Sequence, residues 1–141
     1  MNHIVAIIGS GVAGAEAAAR LAAKNIECVV FEQNMLPYGK LESGLPKWHV
    51  SLRDMHEARI DEKLQDPLVS FVPGATLGET FTLAELVKDW KFSAVLLATG
   101  AWKDRSLPIE GIDDYAGKGL YYQNPFVAWY NHSHDPDYKG P

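Results

Sequence analysis

The chain has 141 residues, a net charge of −5 and 47% apolar residues. That is long enough for one domain with a core, too apolar for a disordered chain and too acidic for a general attraction to nucleic acid or anionic membrane. The single cysteine, Cys28, rules out an internal disulfide, and there is no CxxC pair to act as a dithiol relay.

The first apolar run, Ile4-Val5-Ala6-Ile7-Ile8, has the length of a strand buried on both faces. Gly9-Ser10-Gly11-Val12-Ala13-Gly14 follows at once, then the alanine-rich stretch from Ala15 to Lys24, which suits a helix. Cys28-Val29-Val30-Phe31 predicts a second strand, and Glu32 closes it. The reading is strand, glycine turn, helix, strand, acid. In that arrangement Gly9 allows the turn, Gly11 lets a pyrophosphate approach the backbone, and Gly14 lets the helix pack on the strand. The helix N-terminus presents free N–H groups to phosphates. Glu32, about twenty residues further on, can accept hydrogen bonds from ribose hydroxyls and would repel a 2′-phosphate, which disfavours NADP at this site. The context of strand, helix and acid makes the GxGxxG informative, yet it does not separate FAD from NAD. The bland alternative is a βαβ unit whose glycines serve packing alone.

Gln33 to His49 carries glycines at 39 and 44 and prolines at 37 and 46, which favours irregular backbone. It leaves the carboxyl end of a central strand, where open α/β sheets bind ligands, so a ligand role is expected of it. Ser51 is expected to cap a helix running to about Leu64, with Asp54 near its start and a core stripe of Leu52, Met55, Ile60 and Leu64. Asp66-Pro67 ends it, and Val69-Ser70-Phe71-Val72 predicts a third strand. Thr82 and Glu85 form a capping-box pattern ahead of a helix to about Trp90. Phe92 to Ala98 predicts a fourth strand, ending in Thr99-Gly100, which taken alone is a simple strand-to-loop turn. Residues 102–119 look like loop, Asn124-Pro125 like a capped helix start, and the stretch from Asn131 to Pro141 like a linker or tail.

Right-handed crossovers assemble these strands as an α/β, Rossmann-like doubly wound parallel sheet of order 3-2-1-4, with helices on both faces. The last strand is left as an edge, to be covered by the aromatic stretch after it or by a strand from elsewhere. No apolar run could span a bilayer, and the N-terminal run lacks the basic leader of a signal peptide, so a soluble cytoplasmic protein is the default expectation. His132 and His134 make an HxH pair, too few ligands for a structural metal, and no metal is expected.

Four stretches carry a resemblance. They are Val5 to Glu32, Pro37-Tyr38-Gly39-Lys40-Leu41-Glu42-Ser43-Gly44-Leu45-Pro46, Val95-Leu96-Leu97-Ala98-Thr99-Gly100-Ala101, and Phe126-Val127-Ala128-Trp129-Tyr130-Asn131. On them the chain resembles the FAD-binding part of the adrenodoxin reductase type of ferredoxin–NADP reductase and the related small subunit of glutamate synthase. The resemblance implies FAD in the first site. Gly9, Ser10, Gly11, Ala13 and Gly14 would hold the pyrophosphate, and Glu32 with Gln33 the adenosine ribose. Gly39, Lys40 and Leu41 would run along the ribityl chain, Leu77 would offer its backbone to the adenine, and Thr99, Gly100 and Ala101 would close the site near the pyrophosphate. Lys40, Glu42 and Ser43 depart from the family's usual residues.

By the same resemblance, residues 1–130 are the FAD-binding domain of a longer oxidoreductase, and NADPH is expected only with a second domain. Electrons would then leave to an iron–sulfur partner, a larger subunit or a substrate. The cofactor does the chemistry in such proteins, so no catalytic side chain is assigned. His49, in the flavin-side loop, is the one histidine worth naming as an acid or base. The alternative is a stand-alone dinucleotide-binding or interaction module without turnover, with Tyr121, Tyr122, Phe126, Trp129 and Tyr130 as an interface patch.

Overall fold

The computed structural model describes residues 3–132 and residue 137, with the backbone alone at Glu42, Ser43 and Lys47. The expected tail over 133–136 and 138–141, with His134, lies outside the described residues. Four strands, β1 (Ile4–Ile8), β2 (Glu27–Phe31), β3 (Val69–Val72) and β4 (Ala94–Leu97), form one sheet of order β3-β2-β1-β4. All three ladders are parallel, as expected.

Alternation along β1 and β2 divides the core. Ile7, Cys28 and Val30 face helix α1 (Val12–Ala22) and the C-terminal end of α3 (Val50–Leu64), meeting Ala18, Leu21 and Leu64. Ala6, Ile8 and Phe31 face the other way, against Ala75, Phe81 and Leu86. On that second face Phe31, Phe81, Trp90 and Phe92 make a ring cluster with centroids 4.7–6.4 Å apart. Aromatic rings stack and tilt at such distances with a gain beyond their buried area.

The Thr82–Glu85 capping box forms on both sides. Glu85 Oε2 accepts from the Thr82 N–H at 2.7 Å, and the Glu85 N–H donates to Thr82 Oγ1 at 3.2 Å. The helix it opens widens into a π turn, Glu85–Asp89, closed by the Trp90 N–H on Glu85 O at 2.9 Å. Cys28 is buried, and desolvation, followed by the nearby Asp66 charge, pushes its thiol up.

Several expectations change. The segment expected to be irregular contains a short helix, α2 (Lys40–Gly44), and a 3-10 turn, Lys47–His49. Leu45, forced into extended backbone (φ −99°, ψ 136°) ahead of Pro46, ends α2. Ser51 does not cap α3, because the 3-10 turn runs straight into it and the helix starts one residue earlier. Of its expected core stripe, Ile60 is buried and Leu64 packs on the core, but Leu52 and Met55 are exposed. Helix α3 lies beside α2 and the 3-10 turn as well as α1. Helix α4 (Gln123–His132) starts before Asn124, and Asn131 and His132 are helical rather than linker. Asp104 supplies the cap, its Oδ2 accepting from the Asn124 N–H at 3.1 Å.

Candidate functional site

At the carboxyl ends of β1, β2 and β4 lies a cavity of about 790 Å3. That falls inside the range of about 300–1,000 Å3 typical of small-molecule and cofactor sites. Its floor is the turn from β1 into α1, and its far wall is made by α2, α4 and the segment after β4.

The three glycines of the turn divide into two kinds. Gly9 has φ +100°, and a Cβ there would lie 2.5 Å from Ala98 O. A Cβ on Gly14 would lie 1.8 Å from Gly9 O, inside the crossing of α1 over β1. The protein's own packing demands both. Gly11 is different. Its φ of −56° suits any residue, and a Cβ built on it meets nothing within 4 Å. It lines the cavity beside Val12 and Ala13. No side chain caps the N-terminus of α1 and no acid lies in its first turn, so the N–H groups there keep their positive end for a ligand. The Gly39 backbone comes close from across the cavity: a Cβ on Gly39 (φ +57°) would sit 3.7 Å from Gly11 Cα.

Glu32 lines the cavity, though it is only 4% exposed. Its Oε2 accepts from the Ser10 N–H at 3.0 Å and lies 2.8 Å from the Ser10 hydroxyl, which also reaches Pro37 O at 2.9 Å. Its Oε1 accepts from the Asn34 N–H at 2.9 Å and from Asn34 Nδ2 at 3.0 Å. The carboxylate therefore ties the glycine turn to the segment after β2, and a sugar hydroxyl would share it with, or replace, the Asn34 side chain.

Gly9, Gly11, Ala13, Glu32, Gln33, Gly39, Lys40, Leu41, Leu77, Thr99 and Gly100 all line this one cavity. Ser10 and Gly14 do not: Ser10 is fully buried under Glu32, and Gly14 is buried in the α1–β1 crossing. Ala101 is exposed outside it. His49, an exposed residue of the 3-10 turn, is not among the lining residues. Among the described residues no group of three or more potential metal ligands occurs.

Residues not singled out beforehand complete the walls. Tyr38 lines the cavity and hydrogen-bonds Asp61 of α3 at 3.2 Å through its hydroxyl. Thr76 stands next to Leu77, while Trp102, Asn124 and Val127 line the far wall. Trp102 carries no local sequence signal, and the helix-start pattern at Asn124-Pro125 does not point to the cavity; chain reversal after β4 brings both residues to Lys40.

Residues 3–127 match the family described as pyridine nucleotide-disulphide oxidoreductase. The chain is 32% identical, over 98% of its length, to the NADPH-ferredoxin reductase FprA of Mycobacterium leprae. Over 88% of its length it is 36% identical to the glutamate synthase [NADPH] small chain of Bacillus subtilis. It spans 32% of the reductase and 24% of the synthase subunit. The structure of Mycobacterium tuberculosis FprA in complex with NADPH superimposes on 93% of this chain with a TM-score of 0.74 and 27% identity, covering 29% of that protein.

Proposed function

Because the chain belongs to the pyridine nucleotide-disulphide oxidoreductase family, we propose that it is the FAD-binding part of an NADPH-dependent flavoprotein oxidoreductase. Gly11 carries this reading. It is the one glycine of the fingerprint whose missing side chain nothing in the protein requires, and it opens onto the cavity at the uncapped end of α1. A Cβ there would intrude on a ligand's phosphates and on nothing else, which fits a diphosphate cradle.

On this reading the bare amides at the start of α1 hold the diphosphate and Glu32 with Gln33 takes the adenosine ribose. Leu77 faces the adenine, Gly39, Lys40 and Leu41 follow the ribityl chain, and Thr99 and Gly100 close the site by the diphosphate. Bound FAD would supply the redox chemistry, accepting reducing equivalents and passing them on. The protein's part is to orient the cofactor and exclude water. The 141 residues carry one glycine fingerprint, so the reading assigns NADPH to a second site in a longer protein; the NADPH-ferredoxin reductase it resembles is about three times this length. The acceptor would be an iron–sulfur protein, a larger subunit or a small substrate. A cytoplasmic setting goes with it; among the described residues no helix is long and apolar enough to cross a membrane.

An absorption spectrum of the purified protein, before and after incubation with FAD and desalting, tests the reading. Retained yellow colour with flavin bands is the expected result. A protein that stays colourless yet binds ADP or NAD would be a dinucleotide-binding module without turnover.

A further inference from the structure

Lys40, the first residue of α2, carries the one cationic side chain among the described residues that line the cavity. Among the described residues its ammonium makes no ion pair with a carboxylate. It donates to Asn124 Oδ1 at 2.7 Å and stands 5.9 Å from the centre of the Trp102 ring. A hydrogen bond from a charged donor is stronger than a neutral one, and a cation over an indole face adds to it. The amide of Asn124 is engaged on both sides, because its Nδ2 donates to Trp102 O at 3.1 Å. A single side chain thus gathers α2, α4 and the segment after β4.

We propose that Lys40 and Asn124 form a latch that positions α4 and Trp102 as the outer wall of the cavity, so that affinity for the flavin half of the cofactor depends on their hydrogen bond. This rests on the FAD reading of the site. The packing of α4 supplies the reason. Phe126 and Trp129 are half-exposed, so the helix has little apolar burial of its own to hold it. Two side-chain hydrogen bonds pin it to the α2 region among the described residues, Asn124 with Lys40 and Asn131 Nδ2 donating to Leu45 O at 2.9 Å, and the Tyr130 ring meets Trp48 edge-on at 5.2 Å. Between those pins Val127 enters the cavity wall. Lys40 and Asn124 are 84 positions apart in the chain, and β3 and β4 between them are anchored in the sheet, so their contact joins two segments that are held independently. In this account the Lys40 ammonium acts through Asn124, as a positioning group, while the Lys40 backbone follows the ribityl chain. The adenosine half, built on β1, α1, β2 and the segment after β3, stands apart from the latch.

The test is a double-mutant cycle on FAD affinity, read by quenching of flavin fluorescence, with ADP affinity and melting temperature measured alongside. Lys40→Met and Asn124→Ala are each expected to weaken FAD about tenfold, and the double variant no more than the weaker single one. ADP should bind within about twofold of the unsubstituted protein throughout, and Lys40→Arg should restore most of the FAD affinity. Losses that multiply in the double variant, unchanged FAD binding by either single variant, or an equal loss of ADP would each overturn the latch. An unsubstituted protein that binds neither FAD nor ADP would bring down the reading of the site, and the latch with it.

Discussion

Gly11 and Gly14 lie three residues apart and answer to different partners. At Gly14 a methyl group would meet Gly9 O at 1.8 Å, so Gly14→Ala must shift α1 or β1 and should cost at least about 1–3 kcal/mol of stability. At Gly11 the backbone already suits alanine and the space is open, so Gly11→Ala should change unfolding stability by less than about 1 kcal/mol. The same change should weaken FAD binding at least about tenfold. Denaturant unfolding and flavin fluorescence on the two variants separate packing from cofactor, and a Gly11→Ala protein that binds FAD normally would remove the main support for the site. Glu32 makes a second residue-scale case. Replacing it with alanine orphans the buried Ser10 amide and releases Asn34, an expected loss of about 1–3 kcal/mol in urea unfolding, whether or not cofactor is present.

At the scale of elements, α1 and α3 are clamped by one carboxylate. Glu16 Oε2 lies 2.8 Å from Lys63 Nζ and Oε1 lies 2.7 Å from Arg20 Nε. The hydrogen bond from Lys63, then that from Arg20, lowers the Glu16 carboxyl from 4.5 to about 2. A carboxylate depressed in the folded state contributes stability above its unfolded value, and that contribution is lost as pH falls through the folded one. The melting temperature should therefore fall between about pH 4.5 and pH 2 more steeply in the unsubstituted protein than in Glu16→Gln. Parallel slopes over that window would show that the clamp is too exposed to matter. The elements themselves were largely legible. Mostly apolar runs of four to seven residues located all four strands, and the capping pattern at Thr82 placed the turn that follows it. Helix α2 was not legible, because the glycines and prolines in and around it signal loop, and only contacts with α4 and α3 make a five-residue helix worth forming.

For the whole molecule, the sheet is covered unevenly. Strands β1 and β2 are buried between α1 and α3 on one face and the aromatic cluster on the other, whereas β4 pairs only with β1 among the described residues. Leu96, on β4, is 41% exposed and does not line the cavity. Parallel sheets are normally covered on both faces, and an apolar edge strand is a template for association. Leu96→Lys should reduce concentration-dependent light scattering of the 141-residue protein while costing about 1 kcal/mol of stability. Scattering unchanged by the substitution would mean that the β4 edge is not where copies meet.

The order of the strands, the glycine turn and the acid at the end of β2 were settled by the sequence, because each depends on neighbours in the chain and on the handedness of short crossovers. What belongs to distance along the chain appeared only with the tertiary structure. Ser10 closes on Glu32, Asp104 caps α4, and Lys40 meets Asn124 beside Trp102. No periodicity encodes such meetings. They are set by how the segments after β2 and β4 turn back over the same end of the sheet, and that is decided by packing summed over the whole fold.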